Sequence, residues 1–128
     1  MIAALFLLAA GPAESLDCAD AMTQYAMNMC ARRDYEAADA EMNAQWKITT
    51  AGMKQRDHGL QPDDKRPKHF DTLLAGQRAW LTFRDQHCLL AGFAMRGGSA
   101  EPMVHSGCME TLTRARTAQL KSLVETDY

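Results

Sequence analysis

The chain has 128 residues, of which 47% are hydrophobic and 23% charged, and its formal net charge is −2 at pH 7. This length suits one domain and is too short for two ordinary ones, and the composition is typical of a globular protein. The weak negative charge and the aromatic content of only 7% argue against a nucleic-acid-binding protein, which needs a basic surface or a stacking platform.

The chain begins with an unbroken apolar run at residues 2–10, followed by Gly-Pro-Ala. The run is shorter than the roughly 20 residues that span a bilayer and is typical of a secretory signal peptide, although no Lys or Arg precedes it. We therefore expect residues 1–13 to be a signal peptide and residues 14–128 a periplasmic or secreted domain; a buried first helix is the alternative. Asp17 directly before Cys18 does not fit a lipoprotein cleavage site, so no membrane anchor is expected.

The first predicted helix runs from about Thr23 to Arg56, with Thr23 as its N-cap. Side chains that recur every three or four residues form its inner face. These are Met27, Ala31, Tyr35, Ala38, Met42, Trp46, Thr49 and Met53.

The second predicted helix follows a breaker at residues 58–64 and continues to about Arg96. Pro67 is expected in its first turn, with Asp63 and Asp64 facing its positive end. Gly76 interrupts this helix, and a close approach to another helix would explain it. The predicted inner face consists of Phe70, Leu73, Leu74, Gln77, Trp80, Leu81, Arg84, Cys88 and Ala91.

A third helix is predicted from Pro102 to about Val124, with Met109, Leu112, Arg116, Leu120 and Leu123 on its inner face. Gly97 and Gly98 precede it, and Gly97 suits a left-handed helix cap. These glycines could form an exposed binding loop, but a turn explains them fully. The sequence therefore predicts an all-α fold, a compact three-helix arrangement.

Four cysteines allow three disulfide pairings. Cys88 and Cys108 flank the Gly-Gly turn, so they can pair easily, which leaves Cys18 with Cys30. Twelve residues of continuous helix would hold the latter two about 18 Å apart, too far for a disulfide. Residues 17–22 must therefore fold back along the first helix, and two disulfides are expected to stabilise the domain.

Arg84 is predicted on an inner helix face, where a guanidinium needs a carboxylate such as Asp39. Together with Trp80 and Asp85 it forms the most conspicuous polar motif of the chain, and Arg116 and Thr113 could join the same network. We interpret this motif as a polar clamp between helices rather than a ligand site.

Taken in order, these motifs resemble those of the LprI-type lysozyme inhibitor family. The resemblance covers the chain from about Cys18 to Leu123. The matching pieces are Met27-Asn28-x-Cys30-Ala31, Tyr35-x-x-Ala38-Asp39-x-x-Met42-Asn43, Gln77-Arg78-Ala79-Trp80-Leu81-x-Phe83-Arg84-Asp85-x-x-Cys88, Gly97-Gly98-Ser99 and Cys108-x-x-x-Leu112-Thr113-x-x-Arg116. The resemblance implies a small exported helical domain with disulfides that binds and inhibits lysozyme-type muramidases. The chain lacks the lipoprotein cysteine of the member that gave the family its name.

A cationic lysozyme would be attracted to an acidic surface. The first helix carries Asp34, Glu36 and Glu41, which are the candidate partner-binding residues, although an ordinary solvated helix face is the simpler explanation. A periplasmic adaptor or stress-related binding module without lysozyme inhibition is the alternative function. Small-molecule binding between the helices is a third.

Enzymatic activity is not expected, because no nucleophile motif or carboxylate pair can be singled out. We expect neither a metal nor a cofactor, because the sequence has no CxxC, CxxCH or HxxxH motif. The oligomeric state does not follow from the sequence.

Overall fold

A computed structural model describes residues 16–125, and these form three α-helices with no strand among them. Helix α1 spans Gln24–His58, α2 spans His69–Gly92 and α3 spans Glu101–Glu125. The predicted all-α, three-helix fold is therefore confirmed, whereas the predicted signal peptide at residues 1–13 lies outside the described part of the chain. Within that part, none of the helices has the combination of length and apolar character that crossing a membrane requires.

The start of α1 is fixed by a cap and by a disulfide. The Thr23 hydroxyl accepts a hydrogen bond from the Ala26 N–H at 3.1 Å, so Thr23 is the N-cap, as predicted. Cys18 bonds to Cys30, which holds the preceding segment back against the first turns of α1. The second predicted pair, Cys88 and Cys108, is also bonded and joins α2 to α3.

The loop between α1 and α2 differs from the prediction. Pro67 lies before the N-cap position of α2 rather than in its first turn. Neither Asp63 nor Asp64 accepts a hydrogen bond from the first N–H groups of α2. The Asp64 carboxylate binds Arg66 instead. Hydrogen bonds from the Arg66 side chain and backbone N–H lower the pKa of Asp64 to about 2.

Asp57, from the last turn of α1, binds the start of α2. Its two carboxylate oxygens accept hydrogen bonds from the N–H groups of His69 at 2.7 Å and Phe70 at 3.1 Å. The same carboxylate lies 2.9 Å from the His69 ring nitrogen Nδ1. Partial burial raises the pKa of Asp57, but these hydrogen bonds outweigh that effect and lower it below its usual value.

The apolar core lies between the three helices and is small. Its buried members are Met42, Met53, Leu73 and Leu120, and the side chains of Trp46, Phe70, Trp80, Leu81 and Val124 pack against them. Thr49 is also fully buried, and its hydroxyl donates a hydrogen bond across to the Leu120 carbonyl at 2.9 Å. The prediction that Leu123 faces the core is wrong, because it is 41% exposed and Val124 takes the inner position.

Two helical glycines have opposite surroundings. A Cβ atom at Gly52 would lie 2.7 Å from the Val124 Cγ1 atom, so α1 and α3 approach closely there. A Cβ atom at Gly76 would have no neighbour within 4 Å. The predicted close approach at Gly76 is therefore wrong, and the close contact is made at Gly52.

A tight turn connects α2 to α3. A 3-10 turn at Phe93–Met95 follows α2, so the α-helix ends earlier than predicted. Gly97 has a φ of 77°, the left-handed conformation expected of a glycine cap. Its N–H donates to the Glu101 carboxylate at 2.8 Å, and the Asn28 side chain on α1 donates to the Ser99 carbonyl at 2.9 Å. The Gly-Gly segment is thus a turn held to α1.

Candidate functional site

The buried guanidinium of Arg84 lies where the three helices meet. Arg84 is only 6% exposed, and its nearest carboxylate is that of Asp85, at 2.9 Å. The Asp39 carboxylate on α1 lies 3.7 Å away, and the Thr113 hydroxyl on α3 accepts a hydrogen bond at 3.3 Å. One side chain of α2 thereby contacts both other helices.

Two aromatic rings complete the surroundings of this guanidinium. It lies over the rings of Trp80, at 5.2 Å from the ring centre, and of Tyr35, at 5.7 Å. Burial raises the pKa of Tyr35, and the positive charge of Arg84 opposes that shift. Because Arg84 is enclosed by partners from its own chain, the cluster is suited to holding the helices together.

Arg116 joins the same network from α3. Its Nε donates to the Gln77 side-chain oxygen at 2.8 Å, and its guanidinium also lies over the Trp80 ring, at 5.9 Å. The Gln77 amide nitrogen in turn contacts the Met42 sulfur at 3.8 Å. The predicted motif residues Trp80, Arg84 and Arg116 are thus brought together, whereas Gly97 and Gly98 form the separate turn described above.

The three predicted partner-binding carboxylates do not form one patch. Asp34 and Glu41 are seven residues apart and lie on the same side of α1, next to α3. Glu36 is two residues after Asp34, which places it about 200° around the helix axis. There it forms an exposed ion pair with Arg32 at 2.9 Å.

Two residues on α3, Glu110 and Arg114, complete the surface around Asp34 and Glu41, and neither was predicted to belong to it. Arg114 binds Glu41 and Glu110, both at 2.9 Å. The hydrogen bond to Glu110 and the nearby charges of Glu41 and Asp34 raise the pKa of Arg114. The spacing of four residues between Glu110 and Arg114 indicates their mutual contact, but not their contact with α1.

We call the side chains Asp34, Glu41, Glu110 and Arg114 the α1–α3 acidic surface. It holds three carboxylates and one guanidinium, and it is exposed: the Glu41 side chain is 61% accessible. The geometry therefore leaves a net negative surface that can attract a cationic protein. Among residues 16–125, no group of three or more potential metal-ligating side chains comes together.

Comparison with known proteins places most of the chain in one family. A family model described as "Lysozyme inhibitor LprI" matches residues 17–120. An uncharacterized protein of Rhizobium meliloti strain 1021 is 47% identical over 110 residues, which cover 85% of this chain and 79% of that protein. No solved structure gives a significant match.

Proposed function

Because the chain belongs to the LprI lysozyme inhibitor family, we propose that it binds lysozyme-type muramidases and inhibits them without catalysing a reaction itself. The family match over residues 17–120 is the observation that carries this proposal. The predicted signal peptide at residues 1–13 supports export, which would bring the protein to the periplasm or the exterior, where such enzymes act. The two disulfides agree with an oxidising compartment.

The α1–α3 acidic surface is the proposed contact region. Common lysozymes are strongly cationic, and opposite potentials on two proteins speed their encounter and orient them. Residues 16–41 contain six carboxylates and only two arginines, so this part of the chain is net negative. Glu41 and Glu110 share one cation, Arg114, which leaves carboxylate charge available to a partner.

Amide substitutions test this contact region because they remove charge while keeping shape. Glu41→Gln should weaken binding to a cationic lysozyme about threefold to tenfold, measured as a Kd by calorimetry at low salt. Glu36→Gln is the matched control, because it removes the same charge from the opposite side of α1 and should leave the Kd unchanged. Arg114→Gln should strengthen binding, because it removes the cation that lies among the carboxylates.

These binding measurements test the proposed contact region and the proposed function separately. If Glu41→Gln and Glu36→Gln have equal effects, lysozyme binds elsewhere on the protein. If the unaltered protein binds no lysozyme of any class, the inhibitor proposal fails. A periplasmic adaptor or stress-related binding module would then be the better account of the same scaffold.

A further inference from the structure

A groove of about 380 Å³ opens between the helices at the end of the molecule where α2 begins. Met53 from α1, Leu73 from α2 and Leu123 from α3 give it apolar walls, and its charged or titratable lining residues are Arg56, His69 and Arg116. Volumes of this size are typical of sites for small molecules. Along α1, Met53 lies about 18 Å from Glu41, so the groove is separate from the α1–α3 acidic surface.

Arg116 differs from the other arginines of the helix interfaces. Arg84 and Arg114 each pair with two carboxylates. Arg116 bonds instead to the neutral side chains of Gln77, at 2.8 Å, and Gln119, at 3.1 Å. Within residues 16–125 no carboxylate forms an ion pair with Arg116.

Within residues 16–125, the charge of Arg116 in the groove wall therefore has no compensating anion. Partial burial lowers the pKa of Arg116, and within the described residues no carboxylate opposes that shift. A guanidinium is a strong donor to carboxylates, with which it forms paired hydrogen bonds. A carboxylate entering the groove would thus find a partly desolvated cation that needs a partner.

Gly76 lines the groove and leaves it open, because it has no side chain. It lies in the middle of α2, where glycine is disfavoured, and no neighbouring atom requires it, because an added Cβ would meet nothing within 4 Å. A larger side chain here would lean towards the start of α2, over Leu73 and into the groove. The glycine therefore keeps space that any other residue would reduce.

We infer that this groove binds a small organic anion in which one carboxylate is attached to a compact apolar group. The carboxylate pairs with the Arg116 guanidinium, and the apolar group lies on Met53, Leu73 and Leu123. The inference does not depend on lysozyme inhibition, because it uses other residues and another part of the fold.

The test compares three probes of equal chain length with different head groups: octanoate, octanol and octylammonium. Each is titrated into the disulfide-bonded protein and followed by amide NMR shifts, which also locate the binding site. Octanoate should bind about tenfold more tightly than octanol, and octylammonium more weakly than either, because only octanoate pairs with Arg116. The shifts should centre on Leu73, Gly76 and Arg116.

Two variants divide the interaction into its charged and apolar parts. Arg116→Gln should reduce the preference for octanoate over octanol while leaving octanol binding unchanged; Arg56, which also lines the groove, keeps its charge in this variant. Gly76→Leu should weaken both probes, because its side chain occupies the groove. Gly107→Leu is the matched control: Gly107 is also a helical glycine with open space around its Cβ position, nine residues before Arg116 on α3.

Equal binding of octanoate and octanol to the unaltered protein would overturn the inference, as would shifts centred on another surface. An equal effect of Gly76→Leu and Gly107→Leu would overturn it as well. Failure of lysozyme inhibition would leave these results unaffected, so the two proposals can fail separately.

Discussion

For single residues, Gly52 and Gly76 show that the space around a helical glycine decides whether replacing it with alanine stabilises or destabilises the protein. Gly52→Ala should lower the free energy of unfolding by about 1 kcal/mol, because the added Cβ lies 2.7 Å from Val124 and the resulting overpacking outweighs the gain in helix propensity. Gly76→Ala should raise it by about 0.5–1 kcal/mol, because the same atom enters open space. Urea denaturation of both variants measures the difference, and shifts of the same sign would contradict this packing.

The Arg84 cluster makes a second prediction at this scale. Arg84→Lys should lower the free energy of unfolding by about 2 kcal/mol, because an ammonium group cannot reach Asp85, Asp39 and Thr113 at once as the planar guanidinium does. Asp85→Asn is the control, with an expected loss under about 1 kcal/mol, since the Asp85 side chain is 55% exposed. Thermal unfolding in which Arg84→Lys is as stable as the unaltered protein would show that the cluster does not hold the helices together.

Some of these contacts could be predicted from the sequence and others could not. The contact of Arg84 with Asp39 followed from chemistry, because a buried guanidinium needs a carboxylate, although Asp85 at 2.9 Å lies closer than Asp39 at 3.7 Å. The contact of Glu41 with Arg114 did not follow. This contact depends on how α3 is rotated against α1. Glu41 and Arg114 are polar residues at the edges of their helices, and the sequence pattern does not indicate that rotation.

At the scale of helices, the two disulfides should contribute unequally. Chain entropy gives each loop about 3 kcal/mol, because the loops are of similar length. The Cys88–Cys108 pair should contribute more, since Cys88 is fully buried in the interface of α2 with α3 and its removal also leaves a cavity. Unfolding of the Cys88→Ala/Cys108→Ala and Cys18→Ala/Cys30→Ala double variants compares them, and a larger loss from the second would contradict this ranking.

The Asp57 cap predicts how stability changes at acidic pH. Because the folded protein lowers the pKa of Asp57, its contribution is complete above the unfolded value of 3.8 and is lost as the pH falls through the lower folded value. Stability should therefore decline below about pH 4. Asp57→Asn should be less stable at neutral pH and decline less steeply on acidification, measured by thermal unfolding across the pH range. An unchanged profile in Asp57→Asn would show that another carboxylate causes the decline.

The two helix starts show why one cap could be predicted from the sequence and the other could not. Thr23 caps α1 through a bond to a residue three positions later, so the signal is local and the prediction succeeds. The cap of α2 comes from Asp57, 12 residues before His69, and depends on how the two helices meet. Asp63 and Asp64 were predicted only to face the positive end of α2, and sequence distance could not identify Asp57 as the residue that bonds to its first N–H groups.

At the scale of the whole molecule, the fold gives three regions of different character. The interior around Arg84 joins the helices, and the α1–α3 acidic surface carries the proposed lysozyme contact. The groove is lined by Arg116, which forms no ion pair with a carboxylate of residues 16–125. The helix number, the disulfide pairing and the family were predicted correctly from the sequence. Glu36 was wrongly grouped with Asp34 and Glu41, because the grouping considered charge and not the helical repeat, which places Glu36 on another side of α1.

A cell-wall lysis assay measures the inhibition of a muramidase itself. The disulfide-bonded protein is added in increasing amounts to lysozymes of several classes, and the rate of clearing is followed. We expect a dose-dependent loss of lysis for at least one class, lost when the disulfides are reduced and weakened by Glu41→Gln but not by Glu36→Gln. Unchanged lysis at stoichiometric excess for every class would contradict the proposed function.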